Sequence, residues 1–158
     1  MDSLISQIHK ILLETDKTVA VAESCTGGLL SSLLTNLSGS SHYFKLGAVV
    51  YSNESKTNIL KIPARLISGK GAVSKEVAVL LAKNIRKAAK TDIGIGITGI
   101  AGPTGGTAKK PVGTVYIAVA GAGVTACVKN IFKGSRGSIQ KQSAVKALRL
   151  LYENIHRH

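Results

Sequence analysis

Ser24 stands where a short apolar run, Val19 to Ala22, gives way to small and hydroxyl residues, just before an apolar helical pattern that starts after Gly27 and Gly28. A serine at a strand-to-helix junction can face a ligand while the helix start offers unpaired backbone N–H groups. That suits a nucleophile or the holding of an anion. The plainer reading is a helix cap from Ser24 or Thr26, and this segment alone favours it. A second junction, Ala48 to Lys56, delivers Tyr51 at a strand end and Lys56 five residues later, near a helix start. A hydroxyl nucleophile needs a base, and histidine is badly supplied: His9 falls in a surface helix, His42 in a loop, His156 and His158 in the tail. Lysine can serve if desolvation or a nearby positive field lowers its pKa, and serine–lysine pairs are an established variant of the nucleophile–base arrangement. Taken singly, Lys56 reads as a solvated charge and Tyr51 as packing.

The third informative stretch is glycine-rich, Ile93 to Thr107. Gly94, Gly96 and Gly99 fit GxGxxG, yet the match lies inside a strand's apolar alternation, not in a turn opening a helix. The acidic residue expected about twenty positions later is absent, so a dinucleotide fold is rejected. What remains is a strand ending near Thr98 and a Gly/Thr/Pro loop, whose backbone can approach a ligand closely or form an anion-binding nest. An ordinary turn between strands would use the same residues.

Three motifs in this order, Ala22-Glu-Ser-Cys-Thr-Gly-Gly28, Gly47-Ala-Val-Val-Tyr51-Ser-Asn-Glu-Ser-Lys56 and Thr98-Gly-Ile-Ala-Gly-Pro-Thr-Gly-Gly106, are followed by Lys110-Pro-Val-Gly-Thr-Val-Tyr116. Together they resemble the CinA C-terminal domain family over nearly the whole chain, about Leu4 to Tyr152. Characterised members are nicotinamide-nucleotide amidohydrolases; many relatives carry a long additional N-terminal domain, and this chain resembles the stand-alone form. The resemblance implies Ser24 as nucleophile, Lys56 as general base, Tyr51 positioning or relaying the proton, and Thr98 lining the same pocket. It implies nicotinamide mononucleotide as substrate, nicotinate mononucleotide and ammonia as products, no metal or organic cofactor, and a homodimer. Substrate contacts are expected from Thr26, Gly27 and Gly28 at the helix start, from Asn53, and from Gly99, Gly102, Gly105 and Gly106 in the loop. Cys25 is the competing nucleophile; neighbours on a strand face opposite ways, so only one of the pair can point into the pocket. The residues alone leave Ser24 and Cys25 open, and the resemblance favours Ser24. The other class of function is a non-enzymatic domain binding a nucleotide, or nucleic acid in a competence or damage response.

The chain has 158 residues and a 44% hydrophobic content, consistent with one globular domain over 1–158. No apolar run reaches membrane-spanning length, no signal pattern appears, and two cysteines make no disulfide framework; a reducing cytoplasm is the expected compartment. The net charge is +13. Solvated surface is its first reading, steering of an anionic substrate the second, and nucleic-acid binding the last, because aromatics are only 4% and no RNA-binding aromatic motif occurs. In the densest basic stretch, Lys129, Lys133, Arg136, Lys141, Lys146 and Arg149, several residues are assigned to the solvent face of a helix.

Hydrophobic periodicity then supplies the elements. It gives a helix marked by Leu4, Ile8, Ile11 and Leu12; strands over 18–22, 46–52 and 93–98; helices over 27–37 and 53–60, the latter bounded by Pro63; and a helix capped by Ser74. A hairpin joins 112–120 to 124–132 around Gly121-Ala-Gly123, and a last helix begins at Ser138. The order predicts an α/β three-layer sandwich with a mixed, partly parallel sheet and helices on both faces. Residues 69–71 and 102–110 are the expected mobile loops, the second able to close over a ligand.

Overall fold

The computed structural model describes residues 1–157, which leaves His158 outside the described residues. Among the described residues six α-helices and five strands follow one another as α1 (Asp2–Thr15), β1 (Val19–Glu23), α2 (Leu29–Leu34), β2 (Phe44–Val49), α3 (Asn53–Leu60), α4 (Ala64–Lys70), α5 (Lys75–Ala89), β3 (Ile93–Gly99), β4 (Thr114–Ala120), β5 (Thr125–Ile131) and α6 (Arg136–Asn154). The strands form one sheet in the order β2-β1-β3-β4-β5. β1 pairs parallel with β2 and β3, whereas β3–β4 and β4–β5 are antiparallel. The mixed sheet and the late hairpin are those the pattern predicts.

Period-two alternation decides how the layers stack. Val19, Val21, Ile93, Ile95 and Ile97 send bulk to one face, where Ile8 and Leu12 of α1, Leu30 of α2 and Leu148 of α6 meet it. The opposite face of the central strands is lined where α5 crosses it by small residues, Ala20 and Ala22, Gly94 and Gly96, Ala118 and Ala120, with Tyr116 of β4 packed at the side of this patch. Helix α5 lies on that smooth surface, with Ala78 and Ala82 against Ala118 and Ala120. A β-carbon at Gly96 would lie 2.5 Å from the Ala78 carbonyl oxygen and 2.6 Å from the Ala82 nitrogen, so glycine sets the helix–sheet distance there. The GxG alternation of β3 is thus spent on packing a helix, in keeping with its rejection as a dinucleotide loop.

The connection β1-α2-β2 runs to one side of β1, while α3, α4 and α5 lead back across the other face to β3 on its opposite side. The carboxyl ends of β1 and β3 therefore diverge at a topological switch point, the place where open α/β sheets leave a crevice. Helix starts follow the serines: Ser52, Ser74 and Ser135 each accept a hydrogen bond from the amide three residues on.

Several boundaries differ from the sequence reading, among them β2, which runs Phe44–Val49 rather than 46–52. Helix α2 runs only Leu29–Leu34, because Gly27 (φ 60°) and Gly28 (φ 102°) hold the left-handed backbone and cannot join it. Residues 64–70 form α4, so Gly69 and Lys70 are helical rather than a loop. Helix α6 is capped by Ser135 and starts at Arg136, not Ser138.

Gly96→Ala is expected to destabilise the fold by about 1–3 kcal/mol, the usual cost of overpacking, because its new methyl meets main-chain atoms that cannot turn aside. The midpoint of urea unfolding measures this, and an unchanged midpoint would mean that α5 does not ride on β3 as closely as drawn.

Candidate active site

Ser24 follows β1 directly, and its backbone is tied on both sides. Its N–H donates to the Ile97 carbonyl of β3 at 3.1 Å, and its carbonyl accepts the Gly27 N–H at 3.1 Å. The residue before it, Glu23, is fully buried. One Glu23 carboxylate oxygen accepts from Thr26 Oγ1 (2.6 Å) and the Leu30 amide (2.9 Å), and the other from the Ser31 amide (2.9 Å) and Ser31 Oγ (2.7 Å). Four donors saturate this carboxylate and fix the turn that presents Ser24.

Lys56 enters from α3 and is 1% exposed. Its Nζ lies 2.9 Å from Ser24 Oγ, 2.9 Å from the Val50 carbonyl oxygen and 3.1 Å from that of Tyr51. The two carbonyls belong to the chain leaving β2, so strand end and helix grip one amine. Among the described residues the one ion pair is the surface contact Lys10–Glu14, so no carboxylate neutralises Lys56. Burial lowers its pKa from the ordinary lysine value; a thiolate at Cys25 would act the other way. The same nitrogen position suits both protonation states. The ammonium has three N–H donors for three oxygens, and the neutral amine gives two N–H to the carbonyls and turns its lone pair to the Ser24 hydroxyl. A proton can pass between serine and lysine without any side chain moving.

Cys25 borders the same hollow, but burial pushes its thiol up to about 12, and it packs in the core under α2 and α6. A thiol held protonated is a poor nucleophile, and no base is hydrogen-bonded to it. Thr98 also borders the hollow, with its hydroxyl donating to the Ala72 carbonyl at 2.8 Å. Tyr51 is placed differently from the proton relay expected of it. Its main-chain carbonyl serves Lys56, while its side chain is 56% exposed and its hydroxyl accepts from Arg136 Nη2 at 2.7 Å. No hydrogen bond joins the Tyr51 hydroxyl to Ser24 or Lys56.

The hollow has a volume of about 260 Å³ and is bounded further by Asn53, Gly99, Gly102 and Gly105. Thr26, Gly27, Gly28 and Gly106 are not on its wall. The helix start where the first three lie, expected to meet an anion or the substrate, already holds one: the chain's own Glu23 occupies the Leu30 and Ser31 amides. Gly106 instead packs on Val112. A larger depression of about 330 Å³ runs along α6 among Lys141, Lys146 and Arg149, but it contains no nucleophile and base in contact.

Arg136 is the site residue the sequence reading placed among solvent-facing cations. As the first residue of α6 it turns to the hollow, and Nη1 donates to the Gly102 carbonyl at 2.7 Å while Nη2 serves Tyr51. Both acceptors are uncharged, so the guanidinium keeps its full charge at the mouth. The signal that could have found it is Ser135, whose cap places Arg136 at the very start of the helix. Among the described residues no group of three or more His, Cys, Asp or Glu could hold a metal ion, and no helix is long and apolar enough to cross a membrane.

A family model described as the CinA C-terminal domain matches residues 1–155. The chain is 48% identical over 154 residues to a "Putative competence-damage inducible protein" of Moorella thermoacetica, covering 98% of this chain and 37% of that one. It is 54% identical over 138 residues to a "CinA-like protein" of Koribacter versatilis, covering 87% of this chain and 33% of the relative. The chain thus spans about a third of the length of the curated relatives it matches. Among solved structures, the competence/damage inducible protein CihA of Agrobacterium tumefaciens superposes with a TM-score of 0.93 at 31% identity, covering 96% of this chain and 93% of that one. The competence damage-inducible protein A of Klebsiella pneumoniae superposes with a TM-score of 0.94 at 30% identity, covering 98% and 96%.

Alkylation of Cys25 by iodoacetamide, followed by mass spectrometry, is expected to be slow at pH 8 and still to accelerate as the pH approaches 12, the value to which its pKa is raised. A rate that levels off near pH 8 would show a thiolate at this position and reopen its candidacy as nucleophile.

Proposed function

This chain belongs to the CinA C-terminal domain family, and on that premise we propose that it is an amidohydrolase converting nicotinamide mononucleotide to nicotinate mononucleotide and ammonia. The observation that carries the reading is the buried, uncompensated Lys56 amine 2.9 Å from the Ser24 hydroxyl. A domain that only bound a nucleotide would gain nothing from burying a cation against an alcohol, since taking an ammonium out of water costs several kcal/mol.

In the proposed reaction neutral Lys56 takes the Ser24 proton as Oγ attacks the carboxamide carbon. The Lys56 ammonium then returns that proton to the amide nitrogen, the C–N bond breaks, and ammonia leaves an acyl-ester on Ser24. Water attacks the ester and Lys56 accepts its proton; as the acyl C–O bond breaks, Lys56 passes that proton to Ser24 Oγ, and the product acid gives its remaining proton to solvent and leaves as the carboxylate. Tetrahedral intermediates carry an oxyanion, which needs donors aimed at it. The amides of Ala101, Gly102, Thr104 and Gly105 make no hydrogen bond among the described residues, and with Arg136 they form the positive side of the hollow. Arg136 and this loop are proposed to hold the substrate's phosphate, since a guanidinium resting on neutral acceptors gains most from an anion. Asn53 and Thr98 line the space left for the pyridine and ribose.

The test is ammonia release from nicotinamide mononucleotide by the purified chain. Ser24→Ala is expected to lower kcat by roughly four to six orders of magnitude, as removal of a serine nucleophile does. Lys56→Met should lower kcat similarly with nucleotide affinity within a few-fold. Arg136→Met should raise KM by roughly ten- to a hundredfold and change kcat little. Wild type that binds the nucleotide but releases no ammonia would overturn the reading in favour of a binding domain.

The pH dependence has a fixed sign. The neutral amine is the active form and its pKa is lowered, so kcat/KM should climb with rising pH and level off below the pH at which an ordinary lysine titrates. A profile flat across that range would remove Lys56 as the base.

A further inference from the structure

The segment Lys110–Tyr116 takes no part in the chemistry above, yet its first residue reaches across the site. Lys110 Nζ donates to the Lys70 carbonyl at 2.9 Å and to the Val73 carbonyl at 2.5 Å. The two acceptors flank the link between α4 and α5. Lys70 is the last residue of α4, whose C-terminal carbonyls lack partners within the helix, and Gly71 follows it with φ 88°. Capping α4 would need only the Lys70 carbonyl. The second bond, to Val73, lies beyond the helix, in the stretch that forms one wall of the active-site hollow with Ala72. Thr98 holds the neighbouring Ala72 carbonyl from the end of β3.

The other end of this bridge is the glycine-rich loop that forms the facing wall. The Lys110 amide donates to Thr107 Oγ1 at 3.0 Å and the Thr107 amide donates to the Lys110 carbonyl at 2.8 Å, which closes a turn at the loop's end. Upstream, the Gly102 carbonyl is held by Arg136. Among the described residues no other hydrogen bond joins residues 101–110 to residues 70–74. A β-carbon on Gly71 would approach the Lys110 amine to 3.0 Å, a tight contact with the ammonium that sits over the link. Gly71 itself takes a positive φ, which other residues rarely adopt.

We propose that Lys110 is a positioning residue, a latch whose ammonium ties the glycine-rich loop to the α4–α5 link and so sets the width of the hollow that receives the substrate. The role of the hollow rests on the amidohydrolase reading; the latch itself does not. Charge-assisted bonds to main-chain oxygens are strong enough to restrain a loop of small residues, and that restraint is gained before the substrate arrives. Lys110 is half-buried and lies outside the apolar cores, so its replacement leaves the packing of the sheet untouched.

The experiment compares Lys110→Met and Lys110→Arg with wild type by amide hydrogen exchange, read at the hydrogen-bonded amides of the two segments, Gly71 in the link and Thr107 and Lys110 at the end of the loop, and by steady-state kinetics on nicotinamide mononucleotide. Binding of the same nucleotide is measured by calorimetry in a Ser24→Ala background, where no turnover intervenes. Lys110→Met is expected to speed exchange in both segments about tenfold or more while the β3 amides keep their protection. It should weaken nucleotide binding roughly tenfold and raise KM more than it lowers kcat. Lys110→Arg, which keeps the cation, should restore most of both effects. Exchange at the wild-type rate in the two segments, or a loosening spread evenly over the whole chain, would overturn the latch. Faster exchange confined to the two segments, in a protein that releases no ammonia, would leave the latch standing and remove the amidohydrolase reading instead.

Discussion

The site depends on keeping one amine out of water. Lys56 is closed over by its own helix and by the end of β2, and the oxygens around it are two carbonyls and an alcohol, with no carboxylate among them. That environment tolerates the ammonium but does not favour it, which is the condition a lysine base needs near neutral pH. An acidic partner here would give a more comfortable ion pair and a poorer base. The fold accepts the cost of burial through three well-made hydrogen bonds at 2.9–3.1 Å, and the rest of the site is arranged to hold those partners still.

That stillness comes from the sheet. Because β1 and β3 are parallel neighbours whose connections leave in opposite directions, their carboxyl ends open a crevice, and Ser24 and Thr98 stand on its two sides. Ser24 is pinned by β3 through its N–H and by Glu23 through the following turn. On the rear face, α5 packs on alanine and glycine, which brings its preceding link, Ala72 and Val73, close enough to wall the hollow. A small-residue stripe on one side of a strand thus bears on the shape of a pocket at its end.

Polar groups in this region divide into two kinds. Glu23 is saturated by its own chain, and the helix start that could have received an anion is filled from within. Arg136 and the loop amides are not saturated by any opposite charge, and Lys110 restrains the loop without neutralising it. The first kind builds the scaffold and the second remains free for a ligand. The same logic separates Ser24 from Cys25: both border the hollow, but only the serine is hydrogen-bonded to the Lys56 amine.

Apart from α4, the order of elements, together with the mixed sheet, the Ser74 cap and the two strand-end motifs, was legible in the sequence, because hydrophobic period and capping chemistry act over a few residues. Ser24 and Lys56 could be named as a pair only through the resemblance to a known family, since residues 32 apart in the chain carry no local sign of contact. Three matters were decided by tertiary structure alone. Glu23 reaches forward to take the amides of α2, which moved Thr26, Gly27 and Gly28 from expected ligand contacts to scaffold. Arg136 turns inward from a run of cations that composition could only describe as surface, 85 residues from the tyrosine it meets. Lys110 spans to a link 37 residues earlier that reads as an unremarkable loop. Each is a long side chain whose partner is set by how layers stack; local pattern fixes where the backbone turns, but only packing fixes what a flexible charged group can touch.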